Sequence, residues 1–214
     1  MPTHRIGNLD TDKIAKIMTV ALEEFANNTY HQASYNRVIR QCGISKGTMY
    51  YYFTSKEDLF RTLLQATTKE FASLAGGGPP PVDPAGFWQQ TQDLMREVFT
   101  RLIDKPILGR FIQNFLTSES RRTPNPATPL VARIDEWLQD HLLTGQLVGA
   151  VRRDLPLELL TSLTWAHWET FCGWLRDGEL SSPPAESAAL LADLLQRSLT
   201  STAAPDQEMA TTPA

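Results

Sequence analysis

Apolar residues recur at helical intervals in segment after segment of this chain. Following Asp10-Thr11-Asp12, whose short polar side chains suit a helix start, Ile14, Ile17, Met18, Ala21, Leu22 and Phe25 fall on one face. Their spacing predicts a helix of about four turns, closed by Asn27-Asn28-Thr29. Two short helices are predicted next, one from Ser34 to Gln41 and one from Ser45 to about Tyr51, separated by a turn at Gly43. Ser55-Lys56-Glu57-Asp58 reads as a capping box that opens a longer fourth helix through Leu59, Phe60, Leu63 and Leu64 to Phe71.

Residues 75–84 hold three glycines and four prolines, which cannot continue a helix and mark either a domain linker or a long loop within one bundle. Beyond them, Phe87, Trp88, Thr91, Leu94, Met95, Val98, Phe99, Leu102 and Ile103 form a stripe that stops at Pro106. A shorter stripe runs from Ile107 to Leu116, and the polar stretch Ser118–Pro129 is predicted to be an exposed loop. Another helix carries Leu130, Val131, Ile134, Trp137, Leu138, His141 and Leu142 and ends near Gly145. Two long helices follow, about Pro156–Arg176 and Pro184–Ser201, and residues 203–214 have the composition of a disordered tail.

Composition agrees with helices, since Leu and Ala total 47 residues against 16 for Val plus Ile. The expected fold is all-α, with a helix-turn-helix domain over residues 10–55 and a helical body over 56–202. Residues 1–62 carry eight Lys/Arg and six Asp/Glu, whereas the remainder carries twelve and eighteen, so the basic excess lies at the amino-terminal end. Cys42 and Cys172 lie in unrelated segments, which speaks against a disulfide framework and for a reducing compartment. His4, His31, His141 and His167 show no metal-ligand spacing, and no cofactor or metal is expected. Without a signal-like leader or a run of 18 uncharged apolar residues, the chain reads as soluble and cytoplasmic, with no membrane partner.

In a helix-turn-helix the first helix braces the second, whose amino-terminal residues enter the major groove of DNA. Here Gly43 permits the turn, and Val38, Ile44 and Met49 supply the apolar seam between the helices. Ser34 and Ser45 open the two helices and, with the residues that follow, are candidate DNA-binding residues. Lys46, Gly47 and Thr48 form the exposed first turn, where lysine reaches a guanine or a phosphate, glycine admits the backbone, and threonine meets a base or a thymine methyl. Tyr50, Tyr51, Tyr52 and Lys56 are candidate phosphate contacts. Arg37 and Arg40 either join them or only solubilise the bracing helix.

These residues resemble the DNA-binding domain of the TetR family of bacterial transcriptional regulators. The resemblance rests on Phe25-Ala26, Tyr30, Ser34, Val38, the run Gly43-Ile44-Ser45-Lys46-Gly47-Thr48-Met49-Tyr50-Tyr51-Tyr52-Phe53, and Ser55-Lys56-Glu57-Asp58-Leu59. Thr29 and Ile39 depart from the family pattern, where glycine and alanine are usual. The resemblance implies an all-helical homodimer with a carboxy-terminal ligand-binding and dimerisation domain that usually releases DNA when a small molecule binds. Gly145 to Pro156 also resembles the connection many members have before their penultimate helix.

Candidate ligand-binding residues are Met95, Phe99, Phe111, Phe115, Trp137, Trp165 and Trp168, although residues of this kind are more often core than pocket. An effector with aromatic or apolar surface suits that set, and its identity is not encoded in any motif. The penultimate helix is apolar on two faces, and the last helix forms an apolar wedge. Phe171, Trp174, Leu191, Leu194 and Leu195 are therefore candidates for an intersubunit four-helix bundle. The expected function is a ligand-released repressor that binds a palindromic operator as a homodimer. An activator or a ligand-independent regulator of the same fold is the alternative. An enzyme using Cys172 with His167 is remote, because residues five apart on a helix diverge by about 140°.

Overall fold

The computed structural model describes residues 11–71, 78–117, 121–177 and 183–201. Among them are nine helices: α1 (Thr11–Asn27), α2 (Tyr35–Cys42), α3 (Lys46–Tyr52), α4 (Lys56–Phe71), α5 (Pro84–Asp104), α6 (Pro106–Leu116), α7 (Thr128–Leu147), α8 (Leu157–Asp177) and α9 (Pro184–Leu199). No strand occurs among the described residues. Part of the 75–84 segment and the 203–214 tail lie outside them.

The stripe read on α1 divides by depth: Ile17, Ala21 and Phe25 are buried, and Ile14, Met18 and Leu22 are half-buried beside them. Ser34 caps α2 by accepting from the Arg37 amide, and Gly43 ends it at φ 68°, a left-handed turn that glycine adopts without penalty. Ser45 caps α3 by accepting from the Thr48 amide at 3.0 Å. Met49 is the fully buried anchor of that short helix. Ser55 accepts from the Asp58 amide at 3.1 Å, while the Asp58 carboxylate reaches back to the Thr54 amide at 2.9 Å. This is the capping box with its return bond one residue earlier than usual.

In the body, Asp83 caps α5 by accepting from the Gly86 amide at 2.7 Å, with Pro84 preset in the first turn. α9 packs along α5, placing Ala188 and Ala192 where small side chains let the two backbones approach. The connection from α7 to α8 is tied down by Arg152, whose amide donates to the Leu199 carbonyl at 2.8 Å. Gly149 takes φ 76° in that connection. Gly145 has a different constraint, since a Cβ there would lie 2.5 Å from Val151 Cγ2 and 2.7 Å from Phe87 Cζ.

One apolar core runs through both halves of the chain. Phe60, five residues past the expected boundary at 55, packs edge-on to Phe25 of α1 and to Phe111 of α6, with centroid distances of 4.8 and 5.5 Å. α4 thus belongs to the amino-terminal bundle and to the joint with the body. α6 lies against α1. There Asn114 Nδ2 donates to the carbonyls of Phe25 and Ala26, each at 3.0 Å.

Candidate nucleic-acid interface

α3 is held from one side and open on the other. Met49 anchors it, and Lys46, Gly47, Tyr50 and Tyr51 face solvent. Tyr50 and Tyr51 are 51% and 48% exposed, unusual for adjacent large aromatics on a seven-residue helix. Tyr52 is half-buried and meets Tyr51 edge-on at 5.5 Å. At Gly47 an added Cβ would meet only Ser45 Oγ, at 3.8 Å, so nothing in the fold requires glycine there. Thr48 turns its hydroxyl back onto Ser45 Oγ at 2.8 Å.

Three residues brace this surface that sequence reasoning did not assign. Glu24 is buried, accepts from the Ser34 amide at 2.7 Å, and pairs with Arg37 Nη1 at 2.8 and 3.1 Å, locking α1 to the start of α2. The available signal was a carboxylate one turn from Ala21 on the apolar face of α1. Tyr35 donates its hydroxyl to the Phe53 carbonyl at 2.6 Å and packs edge-on to Tyr50 at 5.6 Å. Burial, then the neighbouring Tyr50 and Asp58, holds the Tyr35 phenol well above its ordinary range. Asn114 is the third.

Lys56 differs from expectation. Its ammonium donates to the carbonyls of Tyr30 at 2.8 Å and Ala33 at 3.2 Å, and it stands 4.5 Å above the Tyr30 ring. Burial lowers its pKa. This lysine ties the α1–α2 connection to α4 and is engaged inside the chain. Arg37 is likewise engaged, by Glu24, whereas Arg40 is exposed.

The seven aromatic and methionine residues expected around one pocket are dispersed. Phe111 and Phe115 sit in the joint with α1 and α4, beside a water-sized cavity of about 10 Å³, because the apolar face of α6 turns to that side. Phe99 is buried and stacks on Trp168 at 5.7 Å, while Trp165 donates to Asp135 Oδ1 at 2.5 Å. Trp137 stacks on His141 at 5.4 Å, and Met95 is half-buried. A surface groove of about 390 Å³ between α5 and α9 is bordered by Trp88, Gln92 and Asp193 and by none of the seven.

The expected subunit-interface residues also need correcting. Phe171, Leu191 and Leu195 are buried within the protomer, because α8 and α9 turn these stripes towards the core. Trp174 and Leu194 are 43% and 40% exposed. The outward face of α8 carries Leu159, Leu163, Ala166, Thr170 and Trp174, a stripe without a charge, and Leu190 joins Leu194 on α9. His167 donates Nδ1–H to its own helix carbonyl at Leu163, 2.7 Å away, and Cys172 is buried. Among the described residues, no cluster could hold a metal ion and no helix is long and apolar enough to cross a membrane.

Residues 17–63, which take in most of α1, the helix-turn-helix and half of α4, match the family described as "Bacterial regulatory proteins, tetR family". This segment is a TetR-family DNA-binding domain. A relative called "HTH-type transcriptional regulator UidR" from Escherichia coli K12 is 26% identical over 152 residues, covering 69% of this chain and 74% of that protein. The "Fatty acid metabolism regulator protein" of Bacillus subtilis is 36% identical over 59 residues, covering 28% of this chain and 30% of that one. A solved TetR-family regulator from Chloroflexus aurantiacus shares the fold across 93% of this chain and 98% of its own, with a TM-score of 0.67 at 21% identity. By that domain the chain is a DNA-binding transcriptional regulator, and its all-helical body shares the fold of that solved structure.

Proposed function

We propose that the chain is a cytoplasmic repressor that binds a palindromic operator as a homodimer and leaves it when a small molecule binds the body. The observation that carries this reading is α3 itself, with Lys46, Tyr50 and Tyr51 exposed around a glycine that the fold does not require. Lys46 is assigned a guanine edge or a phosphate, and Gly47 lets the backbone come close. With its hydroxyl on Ser45, Thr48 offers its methyl to thymine. Tyr50 and Tyr51 take phosphates, while Ser34, Ser45, Tyr52 and Lys56 hold the surface in shape.

The uncharged outer stripe of α8, with Leu190 and Leu194 of α9, supports a second protomer docking there. Such a dimer places two recognition helices about 34–36 Å apart, one turn of DNA. α6 is the natural transmitter, since it touches α1 through Asn114 and α4 through Phe111. A ligand must bind the released shape more tightly, because equal affinity for both shapes shifts nothing. Phe99, Trp165 and Trp168 suit an effector with aromatic or apolar surface.

Selection of bound duplexes from a random library tests the reading. Two inverted half-sites one turn apart are expected, together with loss of selection when Trp174→Glu and Leu194→Glu produce a monomer. A single asymmetric site bound equally well by the monomer would overturn it.

A further inference from the structure

A cation is held in the body by groups that satisfy it only in part. Arg121 lays its guanidinium over Trp165, with Cζ 4.5 Å from the ring centroid. The same indole donates to Asp135 Oδ1 at 2.5 Å. Glu169, one turn on from Trp165 along α8, approaches Arg121 Nη2 at 3.8 Å, too far for a hydrogen bond. Arg121 Nε is buried and makes no hydrogen bond, a state most buried donors avoid. The guanidinium has therefore lost water at that atom without a full set of partners.

What surrounds it is an aromatic wall with acidic ends. Trp168 follows Trp165 by one turn and stacks on Phe99 at 5.7 Å. Asp135 meets the indole N–H and Glu169 approaches the guanidinium, so two carboxylates lie beside the Trp165 ring. An aromatic face with carboxylates at its edge attracts a weakly hydrated cation.

We propose that this is a ligand site for an organic cation bearing an aromatic or apolar group, and that Arg121 fills it from within the chain when no ligand is bound. The inference rests on the reading that the body takes a small molecule, and it names the class. Displaced to solvent, Arg121 regains the hydration its Nε lacks, and the ligand's cation takes its place on Trp165 between Asp135 and Glu169. An anion would have to use Arg121 while facing both carboxylates at short range.

Isothermal titration of the full chain with a matched pair, 3-phenylpropyltrimethylammonium and 4-phenylbutyrate, tests the proposal. The cation is expected to bind saturably and quench tryptophan emission, and the anion to do neither. Arg121→Met, which keeps an aliphatic stem over the indole, should tighten cation binding about tenfold by removing the competitor. Asp135→Asn and Glu169→Gln should each weaken it about tenfold. Anion binding that Arg121→Met abolishes would overturn the charge assignment, and absence of cation binding in both wild type and Arg121→Met would overturn the site. Cation binding that leaves operator affinity unchanged would support the site and overturn ligand-driven release. Release by another compound, with no cation bound, would do the reverse.

Discussion

The side-chain amide of Asn114 donates to the carbonyl oxygen of Ala26 at 3.0 Å, so a residue of α6 closes the carboxy-terminal end of α1. The last carbonyls of a helix have no partner within it, which makes them available to a neighbouring element. Removing the amide leaves the Phe25 and Ala26 carbonyls short of a donor at a joint that also contains Phe60 and Phe111. Asn114→Ala is expected to cost about 1–2 kcal/mol, read as a lower urea midpoint at unchanged slope. In a ligand-responsive protein, the same substitution should reduce the effect of the ligand on operator affinity more than it reduces that affinity itself.

Glu24 and Arg37 are unequal partners, because the carboxylate is buried and the arginine side chain is 44% exposed. Arg37→Ala strands a buried charge that retains the Ser34 amide as a donor, whereas Glu24→Gln returns Arg37 to water and keeps the side-chain shape. Urea denaturation at neutral pH should therefore show the arginine substitution to be the more damaging, by about 1–2 kcal/mol after allowance for screening at its exposed end. Equal losses would show that the pair does not hold α1 to α2.

Local structure was legible in the sequence to the extent that it is written locally. The α1 stripe, the caps at Ser34, Ser45 and Ser55, the glycine turn and the outward placing of part of the tyrosine run all depend on residues within a few positions of one another. Asn114 was not legible, since its partners lie 88 and 89 residues away and an asparagine late in a helix resembles any polar surface residue. Periodicity also shows that a helix has apolar faces without showing what each face meets. Phe111 and Phe115 therefore suit a pocket by spacing alone and lie in the joint, and Phe171, Leu191 and Leu195 suit an interface and lie in the core. Lys56 has the composition of a phosphate contact, but chain folding brings two carbonyls to its ammonium first.

Acid should destabilise the fold through His141. Its ring is stacked between Phe87 and Trp137 at 4.6 and 5.4 Å. Thr91 gives its hydroxyl proton to the Phe87 carbonyl and so accepts from His141 Nε2–H at 2.9 Å. Burial lowers the histidine pKa from 6.5 to about 4. Between those values the unfolded chain binds a proton that the folded chain does not, so stability is full above pH 6.5 and falls towards pH 4. The loss reaches about 3 kcal/mol at 1.36 kcal/mol per pH unit. Urea midpoints measured across this window should fall in wild type and flatten in His141→Gln relative to its own value at pH 7.

Gly145→Ala should be poorly tolerated, although alanine favours helices. The new methyl would press into Val151 and the Phe87 ring, which also supports His141. An overpacking cost of about 1–3 kcal/mol is expected as a lower thermal midpoint. Gly47→Ala meets only Ser45 Oγ at 3.8 Å and should leave that midpoint unchanged or raised while weakening DNA binding.

Fluorescence-anisotropy titration against a selected duplex and a scrambled duplex, at physiological salt, tests the central claim most directly when wild type, Lys46→Ala and Tyr51→Ala are compared. Wild type is expected to prefer the selected duplex by a hundredfold or more. Both variants should bind it more weakly with unchanged assembly, and Lys46→Ala should lower the slope of log affinity against log salt by about one if Lys46 holds a phosphate. Equal affinity of wild type for both duplexes, or undiminished binding in both variants, would contradict the assignment of α3 as the surface that reads DNA.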